Sequence, residues 1–170
     1  MNSLRLRPLR PSDEGAFRAA HAELAAEGNV FGIGFSPGMA WGSYLKVREE
    51  QRTGRGPRGR FVPNTLLVAD VDGDIVGRVS IRHELNDFLA REGGHIGYCV
   101  LPRFRRRGYA TAMLRQGLIV ARAIGIDRVL VTCENSNVAS IRVIEACGGK
   151  LDSIISLESF PAGVRRYWID

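Results

Sequence analysis

The apolar and polar positions of this chain fall into short periodic runs separated by glycine and proline. Residues 4–7 read as a strand, which Pro8 and Pro11 punctuate. Ser12 is a suitable N-cap, and Asp13 and Glu14 follow in a first turn where acids suit the helix dipole. The helix is predicted to run to about residue 27, with Ala16, Phe17, Ala20, Leu24 and Ala25 as its apolar side and Gly28-Asn29 as its end. Ser36-Pro37 reads as a cap and first-turn proline for a second helix reaching about residue 51. Its Met39, Trp41, Tyr44, Leu45 and Val47 are too many for a purely surface helix, so it either walls a pocket or packs. Residues 65–71 are rich in β formers, Asp72-Gly73 is a type I′ turn signal, and residues 74–83 form the return strand. Gly77 in that strand marks a bulge or a close backbone approach.

Residues 84–92 form a polar connection carrying Leu85, Phe88 and Leu89, and Gly93-Gly94 leads into a strand at 95–101. A helix over 108–124 follows, closed by Gly125. Residues 128–133 form a near-continuous apolar run, as in a central parallel strand. A capped helix over 135–147 ends in Gly148-Gly149, and strands at 150–157 and 164–169 pair through a turn at Pro161–Gly163. Strand and helix alternate in the middle and strands pair at the end. That order predicts one domain spanning residues 1–170, with a mixed sheet and helices on both faces.

Composition narrows this only a little. The 170 residues are 45% hydrophobic and 25% charged, as in an ordinary globular domain. Residues 1–7 are polar with no apolar segment behind them, and no run approaches spanning length. The expectation is a cytoplasmic protein with no signal peptide and no membrane contact. Cys99, Cys133 and Cys147 stand singly and are odd in number, which suits buried reduced thiols rather than disulfides or a metal site. The net charge of +6 is almost all arginine and would suit a polyanion or a phosphate-rich cofactor. The segment 52–60, Arg-Thr-Gly-Arg-Gly-Pro-Arg-Gly-Arg, reads as a solvated loop, with a nucleic-acid arm as the lesser reading.

The candidate chemistry lies at residues 94–117. Pro102 stops a strand because it has no N–H for the ladder. Arg103, Arg105, Arg106, Arg107 and Gly108 then form a basic turn before a helix. Glycine lets backbone approach a ligand closely. The amides of Arg106 to Thr111 lie at a helix start without intrahelical acceptors, at the positive end of the dipole. That is an anion site, and a pyrophosphate is a natural occupant.

Arg105-x-x-Gly108-x-Ala110 matches the Gln/Arg-x-x-Gly-x-Gly/Ala signature of the GNAT superfamily, the acyl-coenzyme A-dependent N-acyltransferases. Ile96 to Pro102 resembles that family's fourth strand. The block from Cys133 to Gly149 resembles its following strand and helix, with Asn137 and Ser140 at the family's Asn and small-residue positions. The resemblance covers order and spacing over residues 4–168. It implies an α/β (α+β mixed) fold, with a central, mixed, mostly antiparallel sheet of about seven strands. Helices cover both faces, and strands four and five splay apart.

The resemblance also implies a mechanism. Acetyl-CoA, the co-substrate, lays its pantetheine arm in the splay, on backbone groups of Cys99, Val100 and Leu101. One of those amides polarises the thioester carbonyl. The pyrophosphate sits on the turn and helix start formed by Arg105, Arg106, Arg107, Gly108, Tyr109, Ala110 and Thr111, with Asn137 and Ser140 nearby. A primary amine, of a small molecule or a protein, attacks directly in a ternary complex, and no metal is expected. An alkylamine is neutral only about once in a few thousand molecules at pH 7, an α-amine roughly one time in six, so an alkylamine calls for a base. His95 is the first candidate and Glu84 the second. Many family members carry a tyrosine as acid for the leaving thiolate. Ile144 stands there, so Tyr98, Tyr109 or Cys133 would substitute, or the thiolate leaves unaided. The alternatives are a catalytically weak acyl-CoA-binding protein and, behind it, an arginine-rich nucleic-acid-binding protein. Pairing of two copies through a terminal strand is a common option in such a family.

Overall fold

The computed structural model describes residues 3–56 and 61–170. Residues 57–60 of the arginine–glycine loop lie outside them. Strands β1 (Arg5–Arg7), β2 (Asn64–Val71), β3 (Asp74–Arg82) and β4 (Ile96–Val100) form one antiparallel sheet in that order. Strands β5 (Val129–Glu134), β6 (Lys150–Leu157) and β7 (Phe160–Ile169) form a second, ordered β5-β7-β6. The helices are α1 (Glu14–Ala25), α2 (Trp41–Arg52), α3 (Tyr109–Ala123) and α4 (Val138–Ala146).

The expected splay is a complete break: no ladder joins β4 to β5 among the described residues. The sheets meet at His95, whose N–H donates to Leu130 O over 2.7 Å while its Nδ1 accepts the Leu130 N–H at 2.9 Å. β5 pairs antiparallel with β7. Its apolar run reflects cover on both faces, since Val129, Leu130 and Val131 are all fully buried.

The first sheet has a core on each side because β2 alternates. Leu67, Ala69 and Val71 face the cluster under α3, with Val79, Ile96, Leu114 and Tyr167. Leu66 and Val68 face a second cluster with Phe17 and Leu24 of α1 and Trp41 and Tyr44 of α2. The apolar side of α2 packs: Phe17, Phe35, Trp41 and Tyr44 meet with ring centroids 5.0 to 6.5 Å apart. Ala16 and Ala25 of α1 are exposed.

The hairpin between β2 and β3 forms as expected, with Asp72 and Gly73 both left-handed (φ 52° and 93°). Both readings of Gly77 hold. Ala69 opposes Gly77 while Asp70 opposes Ile75, so Val76 is an extra, bulged residue. A Cβ on Gly77 would lie 2.4 Å from the Cys99 carbonyl oxygen.

Three expected boundaries move. Ser12 is not the α1 cap; it lies in a 3-10 turn (Pro11–Asp13), and the Asp13 carboxylate accepts the Arg10 N–H at 2.7 Å and pairs with buried Arg7. Ser36-Pro37 does not start α2. The Met39 N–H closes a turn onto Ser36 O (2.9 Å), and Ala40 is extended before Trp41. β7 begins at Phe160, so the last turn is Glu158-Ser159, and Pro161 sits inside the strand. Proline is tolerated there because β7 has run past β5, whose last pair is Glu134 with Val164.

Candidate active site

The break between the sheets opens a cleft of about 760 Å³ between the end of α1, β4 and the starts of α3 and α4. The start of α3 is shaped for an anion. Gly108 is left-handed (φ 79°), and Arg106, two residues before it, is too (φ 63°), a conformation that costs a non-glycine residue about 1 kcal/mol or more. The first intrahelical bond runs from Ala112 N–H to Gly108 O (3.2 Å), and no side chain caps the helix. The amides of Tyr109, Ala110 and Thr111 therefore have no intrahelical acceptor, and all three residues line the cleft. The α4 start differs: Asn137 Oδ1 accepts the Ser140 N–H at 3.1 Å. That leaves the Asn137 amide NH₂ as the donor available on that wall.

Of the predicted cofactor-binding residues, all but Leu101 and Arg107 line this cleft. Leu101 is fully buried in the α1/α2 core and its N–H donates to Val76 O (2.9 Å), so its amide is spent inside the sheet. Arg107 stacks on Phe104, 5.6 Å from the ring centroid, and donates to Arg103 O, so it turns from the cleft. The charge of the turn is also partly neutralised. Arg105 forms a two-pronged pair with Glu27 (2.7 and 3.1 Å) and Arg103 pairs with Glu23, both acids coming from the α1 side. Arg106 makes no such pair among the described residues and lines the cleft.

Alternation on β4 decides which backbone groups face the break. Cys99 opposes Arg78, and the Leu101 N–H goes to β3, so odd-numbered residues hydrogen-bond within the sheet. The N–H groups of Tyr98 and Val100 face the break. The Val100 carbonyl there accepts Arg105 Nε at 3.2 Å. Of the expected strip of residues 99–101, only Val100 therefore turns its backbone groups to the break, and Tyr98 joins it there.

A second cleft, of about 530 Å³, opens on the α1/α2 face of the same sheet. Ser80 and Arg82 of β3 floor it, with Asn64, Asp87 and Phe88 around it. No sequence motif pointed to it.

A family model described as Acetyltransferase (GNAT) domain matches residues 3–150. The chain belongs to this family. The L-amino acid N-acetyltransferase AaaT of Escherichia coli (strain K12) is 24% identical over 160 residues, 89% of this chain and 86% of that protein. Mycobacterium smegmatis RimJ, solved in complex with CoA-disulfide, superposes with a TM-score of 0.69 at 24% identity, covering 98% of this chain and 81% of that one. The yncA protein of Salmonella typhimurium, solved with its cofactor acetyl-CoA, gives 0.65 at 17% identity over 99% and 94%. These likenesses show a GNAT fold running through the second sheet as well.

As a GNAT acetyltransferase, the protein still has to deprotonate an amine and protonate a thiolate. The surroundings of His95 argue against it as the base. Its Nδ1 lone pair is engaged by the Leu130 N–H, the other nitrogen carries the proton, and burial with the nearby Arg82 charge pushes its pKa down. It is a buried clip between the sheets. Glu84 is exposed and lines neither cleft. Ile144 is fully buried and apolar, so the usual tyrosine position offers no proton.

Tyr98 does offer one. Its hydroxyl is buried without a hydrogen-bond partner, and the residue lines the first cleft. Burial pushes its pKa up to about 12, so it is a protonated donor at neutral pH. Burial also raises the thiol pKa of Cys99, Cys133 (to about 11) and Cys147, which argues against a cysteine nucleophile.

Proposed function

We propose that this GNAT acetyltransferase moves the acetyl group of acetyl-CoA to a primary amine in a ternary complex, with the free amides at the start of α3 as the observation that carries the reading. These amides, the left-handed Arg106 and Gly108 and the Asn137 amide fit a pyrophosphate in charge and in backbone access. The break beside Tyr98 and Val100 supplies unpaired strand groups for an extended amide-bearing arm. The Val100 N–H is the donor for the thioester oxygen. The amine nitrogen attacks the carbonyl carbon, the C–S bond breaks, and the thiolate takes a proton from Tyr98, which regains one from the proton the amine sheds.

The E. coli relative's name, with its L-amino acid acceptor, supports an amine acceptor. The neutralised turn weighs against a nucleic-acid reading, because Arg103 and Arg105 are already paired to α1 acids. Three unpaired, protonated thiols suit a reducing compartment, in line with a cytoplasmic location. Leu151 and Ile154, exposed on the edge strand β6, would support pairing of two copies there.

The test is calorimetric titration with acetyl-CoA, followed by thiol release over an amine panel. Micromolar-range binding and amine-dependent thiol release are expected. A folded protein that does not bind acetyl-CoA would refute the reading.

A further inference from the structure

The floor of the second cleft is basic. On the α1/α2 face β3 presents Arg78, Ser80 and Arg82 in alternation, and no carboxylate pairs with either arginine among the described residues. Arg78 is spent on backbone, donating to the carbonyls of Phe31 (2.9 Å) and Val30 (2.8 Å). Arg82 is not. Its Nη1 donates to Gly93 O (3.1 Å), and its fork lies over Gly97, within 3.1 to 3.6 Å of where a Cβ would stand. Burial, with the neighbouring Arg78, brings its pKa down to about 10, so it stays charged at neutral pH. Behind the cleft wall Arg48 repeats the pattern: Nη1 holds Asn64 Oδ1 (3.1 Å), and Nε is buried with no partner. Buried guanidinium groups without an anion are costly. The walls carry apolar Ile33, Phe61, Phe88 and Leu89 around the polar floor, with Asn86 and Asp87 at the same cleft and no ion pair between Asp87 and Arg82.

We propose, resting on the acetyltransferase reading, that the acceptor is a free amino acid whose carboxylate is held by Arg82. A planar guanidinium takes a carboxylate through two parallel hydrogen bonds. Gly97, under the fork, is two residues from Cys99 on the same face of β4, about 7 Å along the strand. An α-amino group bound at Arg82 is thereby directed toward the stretch of β4 that borders the break. The same positive charge disfavours the ammonium form and so helps supply the neutral nucleophile. Neither a polyamine nor a peptide N-terminus brings a carboxylate to occupy the fork. The apolar walls take the amino-acid side chain.

The experiment measures kcat/KM for the protein amino acids, each as free acid and as carboxamide, with spermidine and an N-terminal-alanine hexapeptide alongside. At least one free acid should be acetylated, and its carboxamide should be roughly 10- to 100-fold poorer, chiefly through KM. Arg82→Met should bring the acid-to-amide ratio close to one with acetyl-CoA affinity unchanged by calorimetry, and Arg82→Lys should recover part of the preference. Should Arg82→Met fail to fold, the acid-to-amide comparison in the unmodified protein still decides. Equal rates on acid and amide, preference for spermidine or the peptide, or transfer to nothing in the panel by a protein that binds acetyl-CoA overturns this assignment and leaves the acetyltransferase reading standing. Absence of acetyl-CoA binding overturns both.

Discussion

The two clefts border different parts of the four-stranded sheet and are made of different material. The first is built largely from backbone: free amides at a helix start, two left-handed residues and the unpaired edge of β4. The second is built from side chains of β2, β3, the connection after β3, the segment before β2 and Ile33. A backbone site needs particular residues at fixed local spacing, and Arg105-x-x-Gly108-x-Ala110 records that need. A side-chain site needs only that distant residues meet, and leaves no spacing to read. On the reading proposed above, the first cleft would hold the co-substrate common to the family and the second would choose the acceptor.

The largest effect that separates them is expected from Gly108→Glu. A Cβ there meets nothing within 4 Å, so the substitution adds left-handed strain, bulk and negative charge to the cradle without a core clash. Acetyl-CoA affinity should fall by at least about 100-fold in calorimetry. Retained affinity would remove the cradle from the α3 start.

Tyr98→Phe tests the acid. It should lower kcat by roughly tenfold to a hundredfold while leaving thermal stability unchanged or slightly raised, since the hydroxyl is buried without a partner. An unchanged kcat would return the thiolate to solvent.

Gly77→Val probes the backbone that both clefts share. The new Cβ would press on the Cys99 carbonyl and on Met113 Cε (3.0 Å). About 3 kcal/mol of destabilisation, a drop near 10 °C in Tm, is expected. A mutant melting with the parent would mean that β4 can move.

The smallest effect concerns acid. His21, His83 and His95 all have pKa values pushed below the ordinary 6.5, chiefly by burial. Above that value they are neutral in both states. Below it the unfolded chain binds protons that the folded protein resists. Their contribution is thus complete at neutral pH and is lost as pH falls below 6.5 toward and through the lowered folded values. Tm should decline between about pH 7 and pH 5, and His95→Gln, which keeps an acceptor for the Leu130 N–H, should flatten that decline. A flat profile in the parent would contradict the burial of these rings.

Much of the fold was legible because local chemistry set it. The Asp72-Gly73 turn and the Gly108 start of α3 each use a conformation acting within a few residues of itself. Misreadings arose where a distant partner intervened. Asp13 is claimed by Arg7, which moves the α1 start. Arg105, assigned whole to the anion site, is shared with Glu27, 78 residues away. His95, a plausible base by composition, is consumed by Leu130, 35 residues on. The orphan hydroxyl of Tyr98 has no sequence signal, since its state depends on what fails to reach it.

By itself, the sequence determined the order of elements, the family, the basic turn and the helix start that we propose holds a pyrophosphate. These depend on backbone geometry, which glycine, proline and capping residues dictate over a few positions. Tertiary structure alone decided that the sheet breaks at His95, that Leu101 and Arg107 turn away from the cleft, and that Arg82 stands without an acid above Gly97. Those outcomes depend on which groups from separate strands and helices come within hydrogen-bonding reach. That is a property of the packed chain and not of any segment of it.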